Sequence, residues 1–256
     1  MAVLTLFTVL NIIAYLFGSI CSAVIVCNIF SLPDPRTTGS NNPGATNVLR
    51  IAGKKYAALV LFVDLLKGVL PVLLAKMVGA GPSTLVFVCF AAVLGHMFPI
   101  FFSFRGGKGV ATAMGGIIGL NWLLGGIIMA IWFVVANYTL YASLASIIAI
   151  SLAPLLAAFI THGIAFFMPL LAIAIFVIFK HRDNITRLFD GEEPKIKSKG
   201  DTLEEEVSAL LDEECEEEFL ENKELSKEKK VLGNKQVKAK SVKANKKVAK
   251  SRGEKK

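Results

Sequence analysis

Three short polar segments interrupt an otherwise apolar chain, and each is built from residue types that hold anions. The first contains Gly39-Ser40-Asn41-Asn42-Pro43-Gly44, with Asn47 just behind. It is a run of turn formers, able to present backbone N–H groups and side-chain amides on one concave surface. Asp34, Arg36 and Arg50 flank it. A plain solvated linker is the alternative, but a linker needs neither this many asparagines nor this density of glycine. The second segment holds Gly106-Gly107-Lys108-Gly109 between two apolar stretches. A glycine-rich turn that feeds a helix N-terminus favours phosphate through free N–H groups and the positive helix end, and Lys108 adds a point charge. It is not a Walker A loop, since Phe102 and Gly109 stand where that motif needs Gly and Ser or Thr. A tight loop with a snorkelling lysine is the bland reading.

The third segment, His181-Arg182-Asp183-Asn184 through Arg187 and Glu192, follows the last apolar stretch directly. On a continuing helix His181, Asn184 and Leu188 share a face that can look back at the other two segments. His96 lies late in an apolar stretch, where an ionisable residue is a functional candidate by default. Asp64 and Lys67 sit inside another, one helical turn apart, and read as a mutually neutralising structural pair. Ser143 and Ser146 lie at helical spacing, and serines in membrane helices mostly serve packing, as do Gly115 and Gly119. Ser143 is retained as a candidate substrate contact.

The elements that must carry these segments follow from the hydropathy. The chain has 256 residues, 54% of them hydrophobic, and a mean hydropathy of +0.59. The apolar residues end near Phe179, which predicts a membrane body over 1–197 and a charged cytoplasmic tail over 198–256. The tail is acidic and then lysine-rich. A short amphipathic helix is expected within 201–225 and disorder beyond it. The tail's lysines suit an anionic membrane surface, and no nucleic-acid partner is expected. The first apolar stretch lacks a basic leader and reads as a span, not a cleaved signal. The cysteines Cys21, Cys27, Cys89 and Cys215 are scattered and form no CxxC pair, so neither a disulfide framework nor a metal site is expected.

Apolar runs lie at 4–29, 57–77, 83–100 and 110–179. Arginine and lysine cluster in the loops after the first and third runs and after the last. The positive-inside rule therefore puts those loops and the C-terminus in the cytoplasm, with the N-terminus outside. Crossings between Val110 and Phe179 must then be even in number. At ~20 residues per span four fit better than two. The expected architecture is an all-α integral membrane protein with about seven transmembrane helices, five being the alternative.

These segments, in this order, resemble the integral-membrane acyl-phosphate:glycerol-3-phosphate acyltransferases of bacteria. The resemblance rests on Gly18-Ser19, Asp34-x-Arg36, Gly39-Ser40-x-Asn42-x-Gly44-Ala45-x-Asn47 and Arg50. It continues through Gly95-His96, Phe98-Pro99, Gly106-Gly107-Lys108-Gly109-Val110-Ala111-Thr112, His181, Asn184, Arg187, Leu188, Gly191 and Glu192. It covers about residues 1–197. Position 41 departs from it, because Asn41 stands where such proteins often have glycine; asparagine tolerates the left-handed backbone well enough to keep the loop's shape. The His-x4-Asp motif of other acyltransferases is absent, since Phe101 follows His96 and Thr186 follows His181 at that spacing.

The resemblance implies transfer of a fatty acyl group from acyl phosphate to the 1-hydroxyl of sn-glycerol 3-phosphate. The products are lysophosphatidic acid and phosphate, in the first acylation of phospholipid synthesis. No cofactor or metal is implied. Glycerol 3-phosphate, acyl phosphate and membrane lipid are the expected partners, together with the soluble enzyme that makes acyl phosphate. The implied setting is the bacterial cytoplasmic (inner) membrane, with the active site facing the cytoplasm. Ser40, Asn42, Arg50, Lys108, His181 and Asn184 are the expected catalytic residues. Ser19, Arg36, Gly44, Asn47, His96, Gly106, Gly107, Gly109, Ser143 and Glu192 are the expected substrate contacts. The proton acceptor stays open between His181, His96 and a phosphate oxygen. A transporter of a phosphorylated small solute is the competing class.

Overall fold

The computed structural model describes residues 1–161 and 164–196. The expectations for the charged tail lie outside them. The chain divides into two units, Met1–Asp201 and Thr202–Lys256, and every described residue belongs to the first. Among the described residues the regular structure is entirely helical. The helices are α1 (Ala2–Gly18), α2 (Ser22–Ile29), α3 (Ala45–Ala52), α4 (Lys54–Met77), α5 (Pro82–Met97), α6 (Val110–Leu120), α7 (Trp122–Thr139), α8 (Ala142–Thr161), α9 (Phe167–Lys180) and α10 (Arg182–Asp190).

Among the described residues five helical stretches are long and apolar enough to cross a membrane: Val3–Ile29, Lys54–Met77, Pro82–Phe102, Trp122–Thr139 and Ala142–Thr161. The bent pair formed by α9 and α10, at 57°, makes a sixth if it is counted as one span. The long apolar run divides into four helices, α6 to α9. Between α6 and α7 the break falls at Asn121, and between α7 and α8 at Leu140-Tyr141. The Asn121 side chain accepts from the Leu124 N–H at 3.0 Å and caps α7. Asn137 and Pro154 lie inside α7 and α8.

Close backbone approach holds the bundle. A Cβ on Gly18 would lie 2.0 Å from the Ala92 carbonyl oxygen, and one on Gly95 would lie 2.2 Å from that of Tyr15. These glycines are the seam between α1 and α5. Gly68 and Gly115 do the same between α4 and α6, each with a backbone oxygen 2.1 Å from its would-be Cβ. The Gly115–Gly119 pair is therefore a packing feature, as expected. Tyr15 donates its hydroxyl to the Phe98 carbonyl at 2.7 Å, tying α1 to the start of the second polar segment. Lys76 donates to the Leu120 carbonyl at 2.9 Å, so the C-terminal ends of α4 and α6 meet at the end of the bundle away from the polar segments.

Candidate active site

The first polar segment is shaped from within. Gly39 and Asn41 both take the left-handed backbone, at φ 67° and 55°. Asn41 thus does what glycine would do there. Asn47, buried on α3, locks the loop with its amide. Its oxygen accepts from the Ser40 N–H at 2.9 Å, and its nitrogen donates to the carbonyls of Pro35 and Thr38, both at 2.9 Å. All the hydrogen-bonding groups of that amide are then engaged. Asn47 shapes the loop, and Ser40 and Asn42 are left to face a ligand. Gly44 begins α3, whose first-turn residues Ala45 and Thr46 open onto the cavity described below.

The glycine segment is shaped from outside, by its bed. The Gly107 N–H donates to the His96 carbonyl at 3.2 Å. A Cβ on Gly106 would lie 2.1 Å from that carbonyl oxygen, and one on Gly107 would lie 2.2 Å from His96 Nε2 and 3.1 Å from the Pro43 carbonyl. The contact with Pro43 brings the first two segments together. Gly109, at φ 81°, turns the chain into α6. First-turn N–H groups of a helix have no partner inside it, so α3 and α6 both aim positive ends at one space.

The third segment closes that space. His181 sits at the break between α9 and α10, buried, with Nδ1 2.8 Å from the Val177 carbonyl. A carbonyl only accepts, so Nδ1 carries the proton and neutral His181 keeps a lone pair on Nε2. Asn184 accepts from the Lys108 ammonium and donates to Glu193 at 2.6 Å. Glu193 also receives Arg187 at 2.9 Å. Past Gly191 the chain folds back as a strap. Arg50 donates to the Pro194 carbonyl at 3.1 Å, and the Ile196 N–H donates to the Leu140 carbonyl at 2.8 Å. Burial pushes the Lys108 ammonium down to about 8; Glu193 pulls it up and Arg187 and Arg50 push it further down. Burial opposes ionisation of Glu193, but the nearby Ser143 hydroxyl and the hydrogen bonds from Asn184 and Arg187 outweigh it and hold the carboxyl below its ordinary range.

Between these segments lies a cavity of about 270 Å³. Its polar end is lined by Ser40, Asn42, Arg50, Lys108, His181 and Asn184, the six residues expected to be catalytic. Gly44, Asn47, His96, Gly109 and Ser143 also reach it. Its other end is apolar, walled by Leu61 and Leu65 of α4, Met114 of α6, and Met129, Trp132 and Phe133 of α7. The Trp132 indole donates to Ser146 Oγ at 3.0 Å, which fixes the ring and ties α7 to α8.

Five expected contacts fall elsewhere. Ser19 bonds back to the Tyr15 carbonyl at 2.8 Å inside the helix break and does not line the cavity. Arg36 is clamped by Asp34 at 2.7 Å, beside Arg105 in a separate shallow pocket. Gly106 and Gly107 pack on His96 and allow the loop's shape without lining the cavity themselves. Glu192 is exposed, and its neighbour Glu193, 6% exposed, takes the buried place. Two adjacent glutamates carry no signal that ranks one above the other. Asp64, expected only as a structural charge, lines the cavity wall.

Comparison with known proteins gives one answer. The family described as glycerol-3-phosphate acyltransferase matches residues 8–191. A glycerol-3-phosphate acyltransferase of Legionella pneumophila (strain Corby) is 51% identical over 216 residues, 84% of this chain and 78% of the relative. One of Pseudoalteromonas translucida (strain TAC 125) is 49% identical over 192 residues, 75% of this chain and 94% of the relative. The crystal structure of PlsY (YgiH), an integral membrane glycerol 3-phosphate acyltransferase, in its glycerol 3-phosphate form, superposes with a TM-score of 0.71 at 39% identity, covering 75% of this chain and 96% of that one. Its lysophosphatidic acid form gives a TM-score of 0.69 at 38% identity, covering 74% and 94%.

Proposed function

This chain belongs to the glycerol-3-phosphate acyltransferase family, and from that membership we propose how its cavity carries out the transfer. The protein is an integral membrane enzyme that acylates glycerol 3-phosphate to lysophosphatidic acid. The transporter reading is set aside on that ground. The donor is acyl phosphate, made by a soluble enzyme at the same membrane face. The observation that carries the proposal is the amphiphilic cavity, with Arg50, Lys108 and two helix N-termini at one end and apolar walls at the other. Such a space suits phosphates at the charged end and an acyl chain among Leu61, Met129 and Trp132.

Arg50, Lys108 and the N–H groups at the starts of α3 and α6 meet the phosphates. Ser40 and Asn42 orient the glycerol, and His181 and Asn184 close over the acceptor. The 1-oxygen forms a bond to the acyl carbon while the bond from that carbon to the phosphate oxygen breaks. The hydroxyl proton passes to His181 Nε2 and leaves on the departing phosphate. The mixed anhydride is already activated, so most of the barrier reduction comes from positioning and charge stabilisation. His181→Ala should lower turnover about a hundredfold or more if His181 takes the proton. Near-normal turnover at saturating acceptor would leave that task to a phosphate oxygen.

The bundle crosses the membrane seven times with its N-terminus outside and the site facing the cytoplasm of a bacterial inner membrane. The polar segments meet around one cavity, with Arg50 tied to Pro194, Arg36 beside Arg105 and Lys180 over the Phe98 ring. At ~1.5 Å per residue α6 is only about 16 Å long against a ~30 Å hydrocarbon core. On that reading the glycine loop sits below the membrane surface, within reach of a lipid-dissolved donor. A membrane-impermeant thiol reagent on intact cells should label Gly81→Cys and miss Arg105→Cys; the reverse pattern would invert the orientation. Residues 1–197 form the catalytic domain, so truncation after Asp201 should leave activity unchanged in washed membranes.

The deciding experiment gives purified enzyme glycerol 3-phosphate with acyl phosphate or with acyl-CoA. Equal amounts of lysophosphatidic acid and phosphate from the first mixture are expected. Product from acyl-CoA alone would overturn the donor assignment.

A further inference from the structure

One buried group of charges is not used in the transfer step proposed above. Asp64, Lys67 and His96 are 2%, 4% and 7% exposed. Asp64 Oδ1 accepts from Ser22 Oγ at 2.6 Å and from Lys67 Nζ at 2.8 Å, and it lies 3.6 Å from His96 Nδ1. Lys67 also donates to the Ile20 carbonyl at 2.8 Å, in the break between α1 and α2. Thr112 Oγ1 lies 3.2 Å from His96 Nδ1. Ionic groups at this depth are expensive to desolvate and are rarely retained for packing alone. Although Asp64 reaches the cavity wall, its negative charge is unsuited to meeting phosphates, and Lys67 already neutralises it.

The far side of His96 shows what the cluster is for. The His96 carbonyl holds the Gly107 N–H, and its Nε2 lies where a Gly107 Cβ would be. The imidazole and its own carbonyl form the floor on which Gly106 and Gly107 rest, and Lys108 is the next residue. Rotation of that ring would press directly on the loop. Thr112 on α6 lies within hydrogen-bond distance of Nδ1 and Asp64 on α4 stands 3.6 Å from it, so the two helices that flank the cavity both face this edge of the ring.

We propose that Asp64, braced by Lys67 and Ser22, acts with Thr112 through His96 as a positioning unit that sets the glycine loop and aims the Lys108 ammonium at the substrate phosphates. The proposal rests on the phosphate-binding role given to Lys108 above. It makes Asp64 and Thr112 positioning residues, acting at one remove from substrate.

The test is the near-isosteric Thr112→Val, which leaves the ion pair intact, beside the double variant Asp64→Asn/Lys67→Met, which removes both charges together. Steady-state kinetics and pH profiles are measured on detergent-purified enzyme with acyl phosphate and glycerol 3-phosphate. Thr112→Val should raise KM for a phosphorylated substrate about fivefold, the worth of one hydrogen bond, with kcat changed less than that. The upper break in its kcat/KM profile, which belongs to Lys108, should move above about 8 as the loosened loop admits water. Both changes should be larger in the double variant. Lowered thermal stability with KM and the pH break unmoved in both variants would reduce the cluster to a structural ion pair and overturn the proposal. Failure of wild-type enzyme to make lysophosphatidic acid from acyl phosphate would strike the donor reading instead, and the two failures are distinguishable.

Discussion

The asparagine loop and the glycine loop serve the same cavity but are locked by different physics. Around Ser40 the chain is pulled into shape by the Asn47 amide, which engages backbone groups on both sides of the turn. Around Lys108 the chain is pressed into shape, because only glycine fits over His96. A hydrogen-bond lock weakens by degrees when a partner is lost. A steric lock has no intermediate setting, since a methyl group either fits or moves the backbone. The asparagine loop should therefore tolerate graded substitution, and the glycine loop should not.

The largest effect expected is at the steric lock. Gly107→Ala must push its new methyl against His96 Nε2 and the Pro43 carbonyl, displacing both loops. A displacement of ~1 Å in a positioned site can cost about a hundredfold in rate, so kcat/KM should fall by at least that. A drop under tenfold would show that the bed under the loop gives way. Next comes the hydrogen-bond lock. Asn47→Ala removes three hydrogen bonds and should lower stability by about 3 kcal/mol at about 1 kcal/mol each, read by thermal unfolding in detergent. Asn47→Asp keeps the acceptor for Ser40 and should retain more activity than Asn47→Ala. Equal losses in the two variants would erase the graded behaviour on which the comparison depends.

A pH titration sharpens the contrast, because the glycine loop carries a titrating lysine and the asparagine loop, from Gly39 to Asn47, carries no titrating side chain. The Lys108 ammonium is charged below about 8 and neutral above it. Where that charge is needed, kcat/KM should fall about tenfold per pH unit above the break. Glu193 pulls Lys108 up, so Glu193→Gln should move the break to lower pH. A profile flat to pH 10 would remove Lys108 from the charged groups that matter. The smallest effect expected is at Glu192, exposed beside the buried Glu193. Glu192→Ala should stay within about 0.5 kcal/mol of wild type in stability and within twofold in turnover. A loss as large as that of Glu193→Ala would mean that the strap adopts another register when substrate binds.

Much of this protein is local physics and can be read along the chain. Apolar runs make membrane helices because the backbone must satisfy itself in hydrocarbon. Asn41 holds a left-handed turn because its short polar side chain tolerates one. The order of the three polar segments was enough to gather Ser40, Asn42, Arg50, Lys108, His181 and Asn184 as candidates, and all six line one cavity. What the sequence could not determine is which of several similar groups faces inward. Arg36 and Arg50 look alike in the chain, yet Asp34 holds the first away from the cavity while α3 carries the second to the strap. Glu193 displaces Glu192 because the strap is tied down at Pro194 and Ile196 by residues 144 and 56 positions away. Asp64 meets His96 only because α4 packs against α5, and Thr112 reaches the same ring because Gly68 and Gly115 let α4 and α6 approach backbone to backbone. Those choices depend on contacts between elements remote in sequence. Local propensity supplies the helices, the turns and the charges, and only the packed bundle decides which side chains share a cavity.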